Sequence, residues 1–280
     1  MRVLAVARFT VAEAVSRKLV LAGVLLSAAF VGLYALGFFF LYDRIAASEG
    51  PQGELVAATV LTVLGLFAVH FLGGLLALFL SVGAVSSDVD TGTLHAALAR
   101  PLARWEHLLG RWLALAGIVV VYVVVMAGAL LGIAGAVADY RAAAPLAGVA
   151  LLVLEALLLV TLSLLGSTVL STLANGVVVF SLFGLAWLGG VVEFVGDLVA
   201  NPAMINLGIA VSLLIPSDAV WRGASYLLQP TAMSALLARD DAGLPFAGTA
   251  TLAPTMLAWA IGYVLACLAG AFAAFSRRDL

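Results

Sequence analysis

Residues 112–138 read WLALAGIVVVYVVVMAGALLGIAGAVA, a run that contains no charged side chain. A helix of about 20 such residues crosses the roughly 30 Å hydrocarbon core of a bilayer. The rest of the chain has the same character, since 65% of its 280 residues are hydrophobic and 10% are charged, against about 25% charged in soluble proteins. A soluble domain of this size could not cover so much apolar surface. The sequence therefore predicts a membrane protein with α-helical spans.

Six apolar runs are long enough to cross a bilayer, which predicts an all-α polytopic fold with a single transmembrane domain over 1–280. The runs cover about 19–42, 55–84, 112–138, 146–172, 177–199 and 255–275. The 8 prolines lie outside the interiors of these runs, as expected because proline breaks helical hydrogen bonding. A loop at 85–111 joins spans 2 and 3. A longer segment at 200–254, which contains short apolar helices, joins spans 5 and 6 and is expected to pack on the outer surface of the spans.

Basic residues predict the orientation of the chain. Of the 13 Lys and Arg residues, most lie before span 1, in the loop at 85–111 or after span 6. An excess of basic residues marks the cytoplasmic side, so both termini are expected there. The stretch before span 1 favours an amphipathic helix lying in the inner interface. It carries Arg8, Glu13 and Arg17, and its apolar face is predicted to include Leu4 and Val15.

Composition and motifs also exclude several kinds of function. A net charge of −2 gives no reason to expect a nucleic-acid partner. The only lysine, Lys18, is followed by Leu19, so the phosphate-binding pattern that ends in G-K-[ST] is absent. The hydrolase patterns H-E-x-x-H and G-x-S-x-G are absent as well. We therefore expect a non-catalytic chain that binds no cofactor and no metal, and any ATP hydrolysis is expected on a partner chain.

The loop segment DVDTGTLHAALARPLARWEHLLGR at 88–111 is the most informative connection. Thr91 or Thr93 can cap a short helix, and Pro101 ends it. Leu94, Ala97 and Leu98 share one side of that helix by their spacing. A soluble partner could push on this apolar side. Alternatively, the side rests on lipid or on neighbouring spans.

This loop resembles the inner loop of ABC-2-type permeases, the membrane subunits of one class of ABC exporter. The matching residues are Asp88, Gly92, Thr93, Leu94, Pro101, Arg104, Gly110 and Arg111. The family more often has Glu and Lys at the first and last of these positions. The pattern A-R-x-x-x-x-E at 7–13 looks like the family's entrance helix, and the pattern P-x-D-x-x-R looks like its outer element, formed here by Pro216, Asp218 and Arg222.

The resemblance implies a permease subunit, in the inner membrane of a prokaryote, that lines a translocation path in an exporter. It implies an ABC ATPase partner that carries ATP and Mg²⁺, and a second permease copy, identical or related. It assigns ATPase coupling to one group of residues: Asp88, Asp90, Gly92, Thr93, Leu94, Ala97, Leu98, Pro101 and Arg104. Within the family, the chain looks most like the permease of the transporter that supports copper-site maturation of nitrous oxide reductase.

Two ionisable residues, His70 in span 2 and Glu155 in span 4, lie deep inside predicted spans. Their depths differ by about one helical turn at 1.5 Å per residue, so a direct pair is possible. Ionisable groups inside a membrane are costly unless paired or hydrated, which makes them candidate functional residues. The alternative is a neutral pair that serves packing alone. A stand-alone secondary transporter or channel that uses His70 and Glu155 is the second functional interpretation, although the internal repeats typical of secondary transporters are not evident.

Overall fold

A computed structural model describes residues 2–16, 18–86, 103–233 and 246–277, and only the backbone of 16, 18–22, 46–49 and 51. The described residues form helices and short connections, and no strand occurs among them, which confirms the predicted all-α fold. In chain order the helices are α1 (Arg2–Ser16), α2 (Lys18–Ser81), α3 (Arg104–Ala138), α4 (Pro145–Val169), α5 (Thr172–Leu198), α6 (Pro202–Leu214), α7 (Ser217–Leu228) and α8 (Pro254–Arg277).

Six helical segments are long and apolar enough to cross a membrane, as predicted. Spans 1 and 2 are both parts of α2, and spans 3, 4, 5 and 6 are α3, α4, α5 and α8. The segments within α2 are Gly23–Ile45 and Gln52–Ser81. Several span ends differ from the prediction. Span 3 starts at Arg104, not at 112, because residues 104–111 are helical and continue into the span without a break.

The turn between spans 1 and 2 is a single departure from helical geometry at Gly50, where φ is 67° and ψ is −165°. Glycine adopts this conformation readily because it has no Cβ. After the turn, span 2 returns along span 1. Tyr34 of span 1 lies over Gly65 of span 2, and Phe38 packs with Ala58. The two spans therefore form an antiparallel helical hairpin with almost no loop.

Spans 2, 3 and 4 form the centre of the bundle. About half of the most apolar window of span 4 is buried (56%), whereas only 6% of that of span 1 is buried. Fully buried side chains of the core include Leu66, Leu130 and Leu159. The exposed apolar side chains of spans 1 and 5 are expected in a bilayer, because lipid tails surround them instead of water.

The segment between spans 5 and 6 differs from the prediction, because only one of its two helices lies at the surface. Helix α6 is largely exposed, but α7 bends away from it by 101° and is mostly buried among the spans. Small side chains permit this close packing. One contact is formed at Gly148 of span 4, where an added Cβ would lie 2.5 Å from Leu228 Cγ.

Hydrogen bonds fix the far end of α7 to the connection between spans 3 and 4. The Tyr140 hydroxyl donates to the Leu228 carbonyl at 2.8 Å, and the Ala144 N–H donates to the Leu227 carbonyl at 2.9 Å. Burial raises the pKa of Tyr140, so its hydroxyl stays a neutral donor. The C-terminal end of helix α7 is therefore fixed to the connection between spans 3 and 4.

Candidate functional site

The two intramembrane residues predicted from the sequence meet in the core. His70 Nδ1 of span 2 lies 2.6 Å from Glu155 Oε1 of span 4. Their side chains are 2% and 3% exposed, and neither atom has another hydrogen-bond partner among the residues that the structure describes. A pair so deeply buried can exist only if its charges compensate each other or are neutralised by protons.

Three aromatic rings surround the imidazole of His70. Trp221 of α7 stacks on it with ring centroids 4.8 Å apart, and Phe67 and Phe183 each lie at 5.5 Å. The Trp221 indole N–H donates to the Phe246 carbonyl at 2.8 Å. An aromatic face attracts cations within about 6 Å. The imidazole of His70 therefore lies within cation–π distance of all three rings.

The predicted outer element lies next to this pair, within α7. Arg222 Nε donates to Asp218 Oδ2 at 2.8 Å, and Arg222 Nη2 donates to the Gly190 carbonyl of span 5. Pro216 is the N-cap residue of α7. Asp218 is close enough to interact electrostatically with both Glu155 and His70. The structure thus joins two predicted sets, the intramembrane pair and the P-x-D-x-x-R element, into one polar core.

Two residues of this core, Trp221 of α7 and Glu193 of span 5, were not predicted as site residues. Glu193 interacts electrostatically with Arg222 and Asp218. Trp221 lies three residues from both Asp218 and Ala224, which places the three residues on one side of a helix. That spacing is the signal that could have located it. No group of His, Cys, Asp and Glu among the described residues is arranged to hold a metal ion.

A second polar junction lies at the end of the bundle that holds both described termini. Helix α1 packs on the start of span 3, where Arg2 pairs with Glu106 at 3.9 Å and Glu13 pairs with Arg111 at 3.7 Å. Arg104 Nη1 donates to the Ser276 carbonyl at the end of span 6, at 3.0 Å. The junction therefore links α1, span 3 and span 6 within 104–111, the part of the predicted loop that forms the start of span 3 in the structure.

The face of α1 that packs on span 3 carries Val6 and the buried Thr10 and Ala14. Leu4 and Val15, which were predicted on the apolar face together with Ala14, are 70% and 61% exposed. Gly110 of span 3 permits the close approach of the side of α1 that carries Val6.

Only some of the predicted coupling and entrance-helix residues lie in the part of the chain that the structure describes. Arg104 is part of the junction, and Arg8 and Glu13 lie on α1, with the Arg8 side chain exposed. The remaining residues of the two sets lie outside the described residues: Asp88, Asp90, Gly92, Thr93, Leu94, Ala97, Leu98 and Pro101 of the loop, and Arg17 of the entrance stretch.

Asn175 connects three spans near the start of that loop and was also not predicted. Its side-chain amide donates to the Val82 carbonyl at 2.9 Å and to the Ser163 carbonyl at 2.8 Å. The sequence prediction placed Asn175 in a loop because span 5 was expected to start at 177. Helix α5 in fact starts at Thr172, after Ser171, whose hydroxyl caps it by accepting from the Ala174 N–H. The Ser-Thr pair is a helix-start signal that could have located the residue.

Comparison with known proteins identifies the family of the chain. The model of the ABC-2 family transporter protein matches residues 4–280, which is nearly the whole chain. No curated protein matches it. The match agrees with the six candidate membrane spans. The chain therefore belongs to the ABC-2 family of transporter proteins, as a multi-pass membrane permease subunit of an ABC transporter.

Proposed function

We propose that this permease forms the translocation path of an ABC exporter together with a second copy of itself or a related chain. A separate ATPase subunit binds the loop at 85–111 and supplies ATP hydrolysis with its own Mg²⁺. Both termini lie in the cytoplasm of a prokaryotic cell, as the distribution of Lys and Arg favours. The family membership supports a membrane permease subunit that works with an ABC ATPase partner.

The observation that carries the mechanism is the junction of α1, span 3 and span 6. Span 3 starts at Arg104, directly after the proposed docking loop, and its first turns are bonded to α1 through Arg111 and to span 6 through Arg104. A push on the loop therefore moves three elements together, because their contacts are made within two helical turns of the loop. The other end of the loop continues from span 2, which carries His70.

Helix α1 also suits a place at the membrane surface. Its exposed side presents Leu4, Phe9 and Val15, and an exposed apolar face on a short helix favours the headgroup region of a bilayer. The helix would then transmit movement between the membrane surface and span 3.

The central experiment tests coupling. The permease is purified with its ATPase partner, and ATPase activity and export are compared for Leu94→Glu/Leu98→Glu and for wild type. We expect the double variant to insert normally but to lose the link between ATP hydrolysis and export, because the predicted apolar docking side is charged. The matched control is Ala96→Glu/Ala99→Glu, on the opposite side of the same predicted helix. Normal coupling in the Leu94/Leu98 variant would contradict the proposal.

Candidate cargos are tested as chemical classes. The apolar spans suit a lipid, a hydrophobic peptide or a drug. The resemblance to the permease of nitrous oxide reductase maturation adds a copper- or sulfur-related cargo to the first assays. A path lined with thiolates is not available for such a cargo, since Cys267 is the only cysteine of the chain. Stimulation of the ATPase by one of these classes, in the purified complex, identifies the cargo.

A further inference from the structure

Glu155 is an acid in a place where an isolated negative charge is costly. The residue is 2% exposed, and its Oε1 contacts only His70 Nδ1 among the described polar atoms. His70 is 6% exposed. Within the described part of the chain, the charge of each group can therefore be compensated only by the other. This argument does not depend on which ATPase or cargo the permease uses.

The ionisable groups around the pair come from the elements packed against it. Helix α7 provides Asp218 and Arg222, which bond to each other at 2.8 Å. Span 5 provides Glu193, which is half-buried and interacts with those two residues. Span 3 adds only the apolar Val123 to the site. Because the charge of Arg222 is already matched by Asp218, it leaves nothing over to neutralise Glu155. One proton on the His70–Glu155 pair makes the pair neutral.

A small cavity gives this proton access to a solvent molecule. The cavity has a volume of about 10 Å³ and is lined by His70, Glu155, Gly73 and Gly74, among others. That volume is close to the space one water molecule needs. The glycines preserve it, since a Cβ at Gly74 would lie 2.8 Å from the Phe183 ring and one at Gly73 would lie 3.2 Å from Val123.

We propose that His70 and Glu155 form a proton-binding site in the transmembrane core, and that the bound proton holds α7 against spans 2 and 4. The proton comes from water and is shared between Nδ1 and Oε1, and it returns to water when it leaves.

Trp221 connects the site to α7. Its indole stacks on His70 and at the same time binds the Phe246 carbonyl. Without the proton, the charge of Glu155 is no longer offset by His70 and lies near the like charge of Asp218 on α7. This repulsion then disfavours the packed position of α7. The occupied site is therefore the state in which the bundle is closed around this helix.

The protonation state can be read directly because the chain contains 3 histidines. Protein labelled with ¹⁵N-histidine is placed in lipid bilayers, and the imidazole nitrogens are observed by solid-state NMR. His70→Gln assigns the signals. We expect the His70 Nδ1 signal to be that of a nitrogen sharing a strongly hydrogen-bonded proton, and Glu155→Gln to convert the ring to an ordinary neutral imidazole. Glu193→Gln, which removes a nearby acid that does not touch His70, should leave the signal unchanged.

Equal His70 signals in wild type and in folded Glu155→Gln would overturn the proposal. A second measurement covers the case in which Glu155→Gln does not fold. Tryptophan fluorescence of the wild-type permease is followed while the pH is raised within the range in which the protein stays folded, and the contribution of Trp221 is obtained by difference from Trp221→Phe. We expect that contribution to change when the proton leaves. A Trp221 contribution that is constant at every pH would also overturn the proposal.

Discussion

Gly110 of span 3 lies directly against Val6 of α1. A Cβ at position 110 would be 2.7 Å from the Val6 Cβ and 2.8 Å from the Val3 carbonyl oxygen. Real Cβ atoms do not approach backbone so closely, so the entrance helix can dock here only on glycine. This contact lies between the ion pairs of Glu106 and Arg111 and belongs to the junction that we expect to transmit movement.

Gly110→Ala should therefore separate α1 from span 3. We expect a loss of about 1–3 kcal/mol in the free energy of unfolding, the usual cost of overpacking, and weaker coupling of ATPase activity to export. Gly117→Ala is the matched control on the same helix, because a Cβ there meets nothing within 4 Å. Its helix propensity should even improve slightly. Thermal unfolding in detergent compares the two, and equal behaviour would contradict the docking argument.

Gly190→Ala should break the polar core from the side of span 5. A Cβ at position 190 would overlap the Asp218 carboxylate and lie 2.9 Å from Arg222. The pair would be displaced from its bonds, and charge-assisted hydrogen bonds contribute about 1.5–3 kcal/mol each. Gly184→Ala, on the same helix and with open space around its Cβ, is the control. A Gly190→Ala protein as stable as the control would show that the packing of α7 tolerates the loss.

Asn175→Ala should loosen the three spans that meet beside the loop at 85–111. The substitution removes the amide that donates to the Val82 and Ser163 carbonyls, and each hydrogen bond contributes about 0.5–1.5 kcal/mol. The comparison is Ser171→Ala, which removes one helix cap in the same connection at a cost of about 1 kcal/mol. Chemical unfolding of both variants measures the loss in the free energy of unfolding for each. A smaller loss in Asn175→Ala than in Ser171→Ala would contradict the role assigned to the amide.

Arg104→Gln should release the end of span 6 from the start of span 3. The bond to the Ser276 carbonyl is lost, and we expect faster hydrogen exchange around Phe275 and Ser276. Arg141→Gln removes an arginine whose pair with Asp139 is more than four-fifths exposed, and exposed pairs contribute little. Hydrogen-exchange mass spectrometry measures the exchange rates of α8 in both variants. Unchanged exchange in Arg104→Gln would contradict the role of Arg104 in holding span 6 to span 3.

Much of the fold follows from local chemistry. The six spans could be predicted because each is an apolar run of sufficient length, and the His70–Glu155 pair could be anticipated because depth in a membrane is set by the rise per residue. Helix ends were less predictable. Span 3 starts early because the amphipathic turns at 104–111 are covered by α1. A search for apolar runs alone cannot detect such turns.

The position of α7 could not be predicted from apolarity. Its sequence mixes Ser217, Asp218 and Arg222 with apolar residues, a pattern that is typical of a surface helix. Asp218 and Arg222 are instead satisfied inside the bundle, by each other and by the Gly190 carbonyl. Partners so distant in sequence are fixed by tertiary packing. The same is true of α1, whose covered side is selected by a glycine on another helix.

The burial of α7 has a consequence for where a cargo can travel. With this helix wedged among the spans, the cavity at His70 holds about 10 Å³, whereas the apolar groove between spans 1 and 2, lined by Phe30, Phe38 and Leu64, holds about 340 Å³. Among the described residues, the space beside His70 therefore has room for about one water molecule, and the larger of the two spaces lies on the flank of the subunit between spans 1 and 2. We expect a cargo to move along this flank.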